Sequence, residues 1–351
     1  MKKSIWFIGI SLCTFLCISL LSPIAWAQRK TITMSVASFF PPNHGVAKSL
    51  EAFGKEVEKR SNGRVAFTFY HSGSLSSSEN CYEGVVKDVS DMGQSVLAYT
   101  RGRFPLMEII DMPGYPNFNA IMTSRIADDV YRKFTPKELG DTHVLFLHAH
   151  MPGIYYTVKK PVNTLEEMKG LRIRATGLSA KIVQALGATP VAMPKSDEYD
   201  ALQKGVVDGT VGAPAGLITF RLAEITRYST WITRAGSPAT HFVVMNLRKW
   251  NSLPADIKNI FNDVSAEWPE HTGKVWNGLD LEGVEFARKQ GHRFVIPSSE
   301  EGLRWEKALA PVYDDYIKSM QTKGLPGKEV FEYRKQLIDK YAKMYPSVKL
   351  Q

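Results

Sequence analysis

Cysteine is scarce in this 351-residue chain, with Cys13, Cys17 and Cys81 the only three. A lone Cys81 in the main body cannot close an internal disulfide, so the fold must rest on its core. No internal repeat, low-complexity tract or Pro/Gly-rich linker is present, and no run of basic residues marks a nucleic-acid groove or a polybasic membrane patch. No Gly-x-Ser-x-Gly elbow supports a hydrolytic reading around Ser95, His44 and Asp111 or Asp208. Gly209-Thr210-Val211-Gly212 lacks the lysine of a phosphate loop. His148 and His150 alternate on one strand face, but no carboxylate or thiol pattern completes a metal site around them. These absences point away from catalysis, cofactors, metals and nucleic acid.

What is present begins with an export signal. Lys2, Lys3 and Ser4 precede an uncharged apolar run from Ile5 to about Leu21, Ser22-Pro23 break it, and Ala25-Trp26-Ala27 supplies small residues at the cleavage positions. Residues 1–27 therefore read as a secretory signal peptide cleaved after Ala27, with the remainder exported; the alternative is an uncleaved membrane anchor, since the apolar run approaches the length that spans a bilayer. Its removal takes two lysines and no acid, leaving 42 basic and 35 acidic residues and a formal charge of +7. A modest, dispersed positive field favours encounter with small anions.

The remaining length exceeds what one core usually serves, so two lobes are expected. Strand and helix patterns alternate. Thr31–Ala37 reads as a strand, and a helix opens at Asn43 with Val46, Leu50, Phe53 and Val57 at helical spacing. Arg64–Tyr70 and Val89–Val96 read as strands around a helix from Ser78 to Lys87, and Val144–His148 and Gly153–Val158 as strands leading to the second half. There the units recur: a capping signal at Thr164-Leu165-Glu166-Glu167, strands at Leu171–Arg174, Val191–Met193 and Asp208–Val211, and helices at Ser179–Leu186 and Tyr199–Lys204. Thr240–Asn246 reads as a strand returning to the first lobe. Such alternation predicts an α/β fold with mixed, mostly parallel sheets flanked by helices.

A long helical pattern from Pro254 to about Gln290 is expected to lie across both lobes and to kink or split at Pro269. Two further helices, about 300–322 and 328–344, are expected on the outside. The predicted division is signal peptide 1–27, first lobe 28–150 with a return segment of about 236–290, and second lobe 151–235 with part of the C-terminal helices of about 291–351.

The most informative stretch is Lys169-Gly170-Leu171-Arg172-Ile173-Arg174-Ala175-Thr176-Gly177, a strand ending in arginine before a helix start. Arginine presents a planar fork of donors that matches a carboxylate and stays charged at physiological pH. Ligands of open α/β sheets sit beyond the carboxyl ends of strands, which favours Arg174 over Arg172, and Thr176 follows in the same loop. The same rule nominates Phe39, Asn43 and His44 after the first strand, Gln94 and Ser95 at the end of the third, and Met193, Ala213 and Pro214 as uncharged walls. Asn43 could equally be the helix cap.

In their order and spacing, several pieces carry a resemblance. They are Gly73-Ser74-Leu75, Gly84 to Gly93 with Asp91-Met92-Gly93, Phe104-Pro105-Leu106, Lys160-Pro161-Val162, the Arg174 stretch, Leu186-Gly187-Ala188-Thr189-Pro190, Tyr199 to Gly209, and Asn246 with Trp250 and Leu253-Pro254. With these the chain resembles the solute-binding component of tripartite ATP-independent periplasmic (TRAP) transporters, in the dicarboxylate-binding-protein family. The resemblance implies a two-lobed periplasmic binding protein fold that closes on a small organic acid and hands it to a small and a large membrane subunit. It also implies that Arg174 clamps the ligand carboxylate. A second arginine of the family would fall near Tyr155, which can donate one hydrogen bond but cannot neutralise a charge. A monocarboxylate, an oxo or hydroxy acid, or an acid with an aromatic tail is therefore expected over a dicarboxylate. A shuttle that docks on a permease is expected to be a monomer. A ligand-sensor partner or a secreted enzyme on the same scaffold is the alternative, although no acid, base and nucleophile assemble for the latter.

Overall fold

A computed structural model describes residues 31–349, so the signal-peptide reading of residues 1–27 lies outside the described residues. The chain first lays down β1 (Ile32–Ser38), β2 (Val65–Tyr70), β3 (Met92–Val96) and β4 (Thr142–Ala149). It then builds β5 (Ile154–Thr157), β6 (Arg172–Arg174), β7 (Thr189–Val191), β8 (Gly209–Gly212) and β9 (Tyr228–Thr230). Finally β10 (Thr240–Asn246) returns to the first sheet, and β11 (Arg293–Val295) joins the second. The first sheet has the order β2-β1-β3-β10-β4 and the second β11-β9-β5-β8-β6-β7. In the first, β1 runs parallel to β2 and β3, and β10 runs antiparallel to both β3 and β4. In the second, β6 is parallel to β7 and β8, while β5 is antiparallel to β8 and β9. The molecule is a two-lobed α/β protein, with one sheet in each lobe.

Local chemistry accounts for the element that feeds the cleft. The helix Gly45–Arg60 buries Val46, Leu50, Phe53 and Val57, one apolar stripe at helical spacing, with the last three in the core of the first sheet and Val46 beside Phe40 and Trp276. Its cap is His44 and not Asn43: the His44 Nδ1 accepts the Val46 N–H at 3.1 Å, while Asn43 is exposed. The third strand is shorter than its pattern suggested and the helix before it is confined to Cys81–Val86. The Thr164-to-Glu167 pattern forms a reciprocal capping box on a single 3-10 turn.

The long helical pattern is one helix, Ala255–Lys289, with Pro269 inside it and no break. Side chains on either side of the proline hold it to the first lobe: Trp268 Nε1 donates to the Ser49 carbonyl at 3.0 Å, and the Thr272 hydroxyl meets the Ser49 hydroxyl at 3.1 Å. This helix touches both lobes through two glycines. A Cβ on Gly273 would stand 2.6 Å from the Ile121 Cα in the first lobe, and one on Gly283 would stand 2.3 Å from the Pro214 carbonyl oxygen in the second. Near that second contact, Ala215 N–H donates to Asp280 Oδ1 at 2.8 Å.

The C-terminal region has one helix more than expected, and each packs an apolar face inward. It forms three helices, Ser299–Ala308, Ala310–Thr322 and Gly327–Met344, because their apolar stripes carry Trp305, Tyr316, Met320 and Tyr341 into the core. Truncating a buried tryptophan to alanine costs about 3–5 kcal/mol in typical cores, so this is structural packing and not a coat. Arg334 is buried as well, donating to the Met112 and Pro113 carbonyls and lying 4.5 Å over the Tyr115 ring. Cys81 packs in the core, where burial pushes its thiol up to about 12. No helix among the described residues is long and apolar enough to cross a membrane.

Where the chain returns to the first lobe, Asp111 accepts from the Thr240 N–H at 2.9 Å and the Thr240 hydroxyl at 2.7 Å. Burial raises its carboxyl to about 7, against the opposing pull of those two bonds. Between the ordinary carboxylate value and about 7 the native state therefore holds a proton that the unfolded chain has lost, and stability falls as pH rises through that window. Asn in place of Asp111 keeps an oxygen acceptor and removes the titration. Asp111→Asn should accordingly gain on the parent protein between pH 4 and pH 8, by on the order of 3 kcal/mol, in urea midpoints taken at both values. A constant difference across that range would show that Asp111 does not titrate there.

Candidate functional site

Three chain segments cross between the lobes, around His150, around Ser237-Pro238-Ala239, and along the long helix. A cavity with a volume of about 70 Å³ lies where they meet.

Arg174, at the carboxyl end of β6, lines the cavity and is 5% exposed. Its Nε donates to the Met193 carbonyl at 3.0 Å, Nη1 stands 3.9 Å from Glu198 Oε1, Nη2 is buried without an aligned hydrogen bond, and the Tyr99 hydroxyl interacts with the same guanidinium. A buried donor without an aligned partner costs about 1–3 kcal/mol, and more for a charged group, so this nitrogen can take a further acceptor. Arg172 points its charge elsewhere: it is exposed and pairs with Asp208 through contacts of 2.9 and 3.0 Å.

Lys195, just beyond β7, is the second cation in the cavity wall. Its Nζ lies 2.5 Å from Glu198 Oε2 without the alignment of a hydrogen bond. Burial lowers its ammonium, Glu198 pulls the other way, and Arg174 lowers it further. Glu198 is fully buried and also accepts from the Thr210 hydroxyl. Burial alone would raise the Glu198 carboxyl, but Lys195 and Arg174 outweigh it and hold the group below its usual range.

Aromatic groups form much of the rest of the wall, beside the hydroxyls of Tyr99, Thr176, Ser179, Thr219 and Ser237. Phe39 and Phe40 stand with ring centroids 4.1 Å apart, Phe40 lies 4.3 Å from His44 and 6.0 Å from Trp276, and Phe220 closes the side near Lys195. The histidines here are neutral: burial, reinforced by Lys195, pulls His44 down to about 3, and burial takes His150 to about 4 against a bond from Nδ1 to the Met151 carbonyl. Among the described residues, no cluster of histidine, cysteine and carboxylate could hold a metal ion.

Of the residues nominated by sequence, Arg174, Phe39, His44, Thr176 and Ala213 meet in this cavity. The others do not line it. Asn43 is on the surface, Gln94 is spent on Ser38 and His148 within the first sheet, and the Ser95 hydroxyl donates to the Ser78 carbonyl at 2.7 Å. Met193 contributes its carbonyl to Arg174, and Pro214 sits against the long helix. Tyr155 is buried behind the cleft, donating to the Ala235 carbonyl at 3.3 Å and packing edge-on against Trp305. Sequence reasoning missed Lys195, Glu198, Tyr99, His241, Phe220 and Trp276. Lys195 obeys the same strand-end rule as Arg174, whereas Glu198 looks like any acid in the first turn of a helix.

A cavity between two lobes, walled by rings and holding a guanidinium nitrogen without an aligned hydrogen bond, defines a solute receptor. The family model for bacterial extracellular solute-binding protein, family 7, matches residues 36–319, and the chain belongs to that family. A TRAP periplasmic solute-binding protein from Desulfovibrio salexigens is 33% identical, with a TM-score of 0.78 over 88% of this chain and 96% of that one. A TRAP solute-binding protein from Rhodoferax ferrireducens, in complex with copurified benzoate, is 28% identical with a TM-score of 0.84, covering 90% and 99%. The dicarboxylate-binding periplasmic protein DctP of Rhodobacter capsulatus is 27% identical over 84% of this chain and 89% of its own length.

Glu198 stands between two cations, so its neutralisation leaves both buried and unopposed. Removing one member of a buried charge cluster costs about 3–5 kcal/mol. Glu198→Gln should lower the melting temperature of the purified protein strongly relative to the parent. A variant that melts like the parent would show that Glu198 carries no charge balance here.

Proposed function

We propose that this chain is the periplasmic receptor of a TRAP-type transporter and captures a small aromatic monocarboxylate, which it delivers to a small and a large membrane subunit. It reaches the periplasm by a signal peptide cleaved after Ala27, works as a monomer, and binds without catalysis. The observation that carries the ligand class is the charge count. Arg174 and Lys195 against Glu198 leave one net positive charge in a buried, otherwise neutral site, which a single carboxylate cancels. A second carboxylate would enter with no partner, and an unpaired buried charge is strongly disfavoured. Phe39, Phe40, Phe220 and Trp276 supply the apolar faces that a ring prefers. The benzoate held by the Rhodoferax ferrireducens relative supports the same class.

Family membership and the solute-binding relatives favour the transport role over the sensor and enzyme alternatives. Closure in such a receptor is a ligand-driven shift between open and closed forms.

Calorimetry of the purified protein should show benzoate binding at least tenfold tighter than succinate. Arg174→Ala should weaken benzoate by about 10- to 100-fold, the worth of a charged hydrogen bond, while the variant still melts cooperatively. Equal affinity for the two acids would sink the monocarboxylate reading, and undiminished benzoate binding by Arg174→Ala would remove the clamp.

A further inference from the structure

The first lobe contributes two imidazoles to the cavity whose tautomers are set by backbone bonds. His44 accepts the Val46 N–H at Nδ1, 3.1 Å away, because it caps the helix Gly45–Arg60. A neutral imidazole has one proton, so that of His44 sits on Nε2. Nε2 is buried and has no hydrogen-bond partner. His241, on β10, has the reverse arrangement. Its Nδ1 lies 3.0 Å from the Ala239 carbonyl oxygen, which only accepts, so Nδ1 carries the proton and Nε2 keeps a lone pair.

The two rings share their surroundings. Both lie beside Phe40, at 4.3 and 5.7 Å between centroids, and both lie beside Trp276, at 5.7 and 5.4 Å. Neither ring is charged near neutral pH. Burial holds both well below the ordinary imidazole value, with Lys195 adding to the effect on His44, and with His148 and His150 on His241. One wall of the cavity therefore offers a donor and an acceptor without charge, on the lobe opposite to Arg174 and Lys195.

A carboxylate cannot use this pair, since it has no hydrogen to give to His241. A hydroxyl can, because it accepts one hydrogen bond and donates another. We propose that His44 and His241 form a hydroxyl-reading pair, so that the preferred ligand is a hydroxylated aromatic monocarboxylate bridging Arg174 in one lobe and the two imidazoles in the other. This rests on the monocarboxylate reading above and adds the second polar group of the ligand. His44 Nε2–H donates to the hydroxyl oxygen, and the hydroxyl hydrogen goes to His241 Nε2. Recognition of this kind discriminates strongly, because an analogue without the hydroxyl leaves buried polar groups unpaired.

The test is calorimetry of the purified protein with benzoate, its three ring-hydroxylated isomers, phenylacetate and mandelate. Two variants accompany the parent. His44→Asn keeps a residue able to cap the helix but loses the ring N–H, and His241→Phe keeps a flat ring against His148 but loses the acceptor. Unliganded melting curves check that each variant folds, and either one alone suffices. At least one hydroxylated acid should bind the parent protein about tenfold or more tighter than the same acid without the hydroxyl. In each folded variant that acid should lose about tenfold more affinity than its unhydroxylated counterpart. Benzoate binding with no preference for any hydroxylated acid would overturn the pair and leave the monocarboxylate reading standing. A preference that survives in the folded variants would overturn it too. Failure of every acid to bind the parent protein would overturn the monocarboxylate reading itself.

Discussion

The cluster of Arg174, Lys195 and Glu198 constrains everything around it. Two cations and one anion are taken almost completely out of water, which is costly unless their charges and hydrogen bonds are met. The protein meets most of that requirement with the Met193 carbonyl, the Thr210 hydroxyl and the ion pairs, and leaves one charge unmet and one guanidinium nitrogen without an aligned hydrogen bond. In the proposed reading a soluble anion completes the set where the protein has already excluded water. The aromatic wall contributes to that exclusion.

The two lobes contribute different groups to the cavity. Arg174, Lys195 and Glu198 all come from the second lobe, from the end of β6 to the segment before β8. Phe39, His44 and His241 come from the first. The long helix bears on both lobes through Gly273 and Gly283, where backbones approach too closely for any side chain. The C-terminal helices extend this support, since Trp305 packs on Tyr155 of the second lobe and Arg334 on the chain near Met112 of the first.

Much of the fold was legible in the sequence because its elements announce themselves locally. Val46, Leu50, Phe53 and Val57 mark a helix by spacing alone, and the apolar run Thr240–Asn246 marks a buried strand. The errors arose where tertiary contact overrode a local rule. Pro269 did not interrupt its helix, because Trp268 and Thr272 anchor that turn on Ser49. The last helices were expected on the outside, yet their inward faces bury Trp305 and Arg334. Asn43 has the better capping side chain, but the chain turns one residue later and His44 takes the role.

The sequence by itself determined the lobed α/β alternation and pointed to Arg174 as a cavity residue, because a strand end followed by a helix start is a local pattern with a fixed relation to the crevice of an open sheet. Only the tertiary structure decided the charge balance. Lys195 lies 21 residues beyond Arg174 and Glu198 three beyond Lys195, and nothing in that spacing says that all three share one buried pocket while Arg172 pairs outside with Asp208. Tyr155 shows the converse, a side chain assigned to the cleft by its place in the chain that packing turned away towards Trp305. Burial is a property of the whole fold, and burial is what brings a lysine and a glutamate into one charge balance with Arg174.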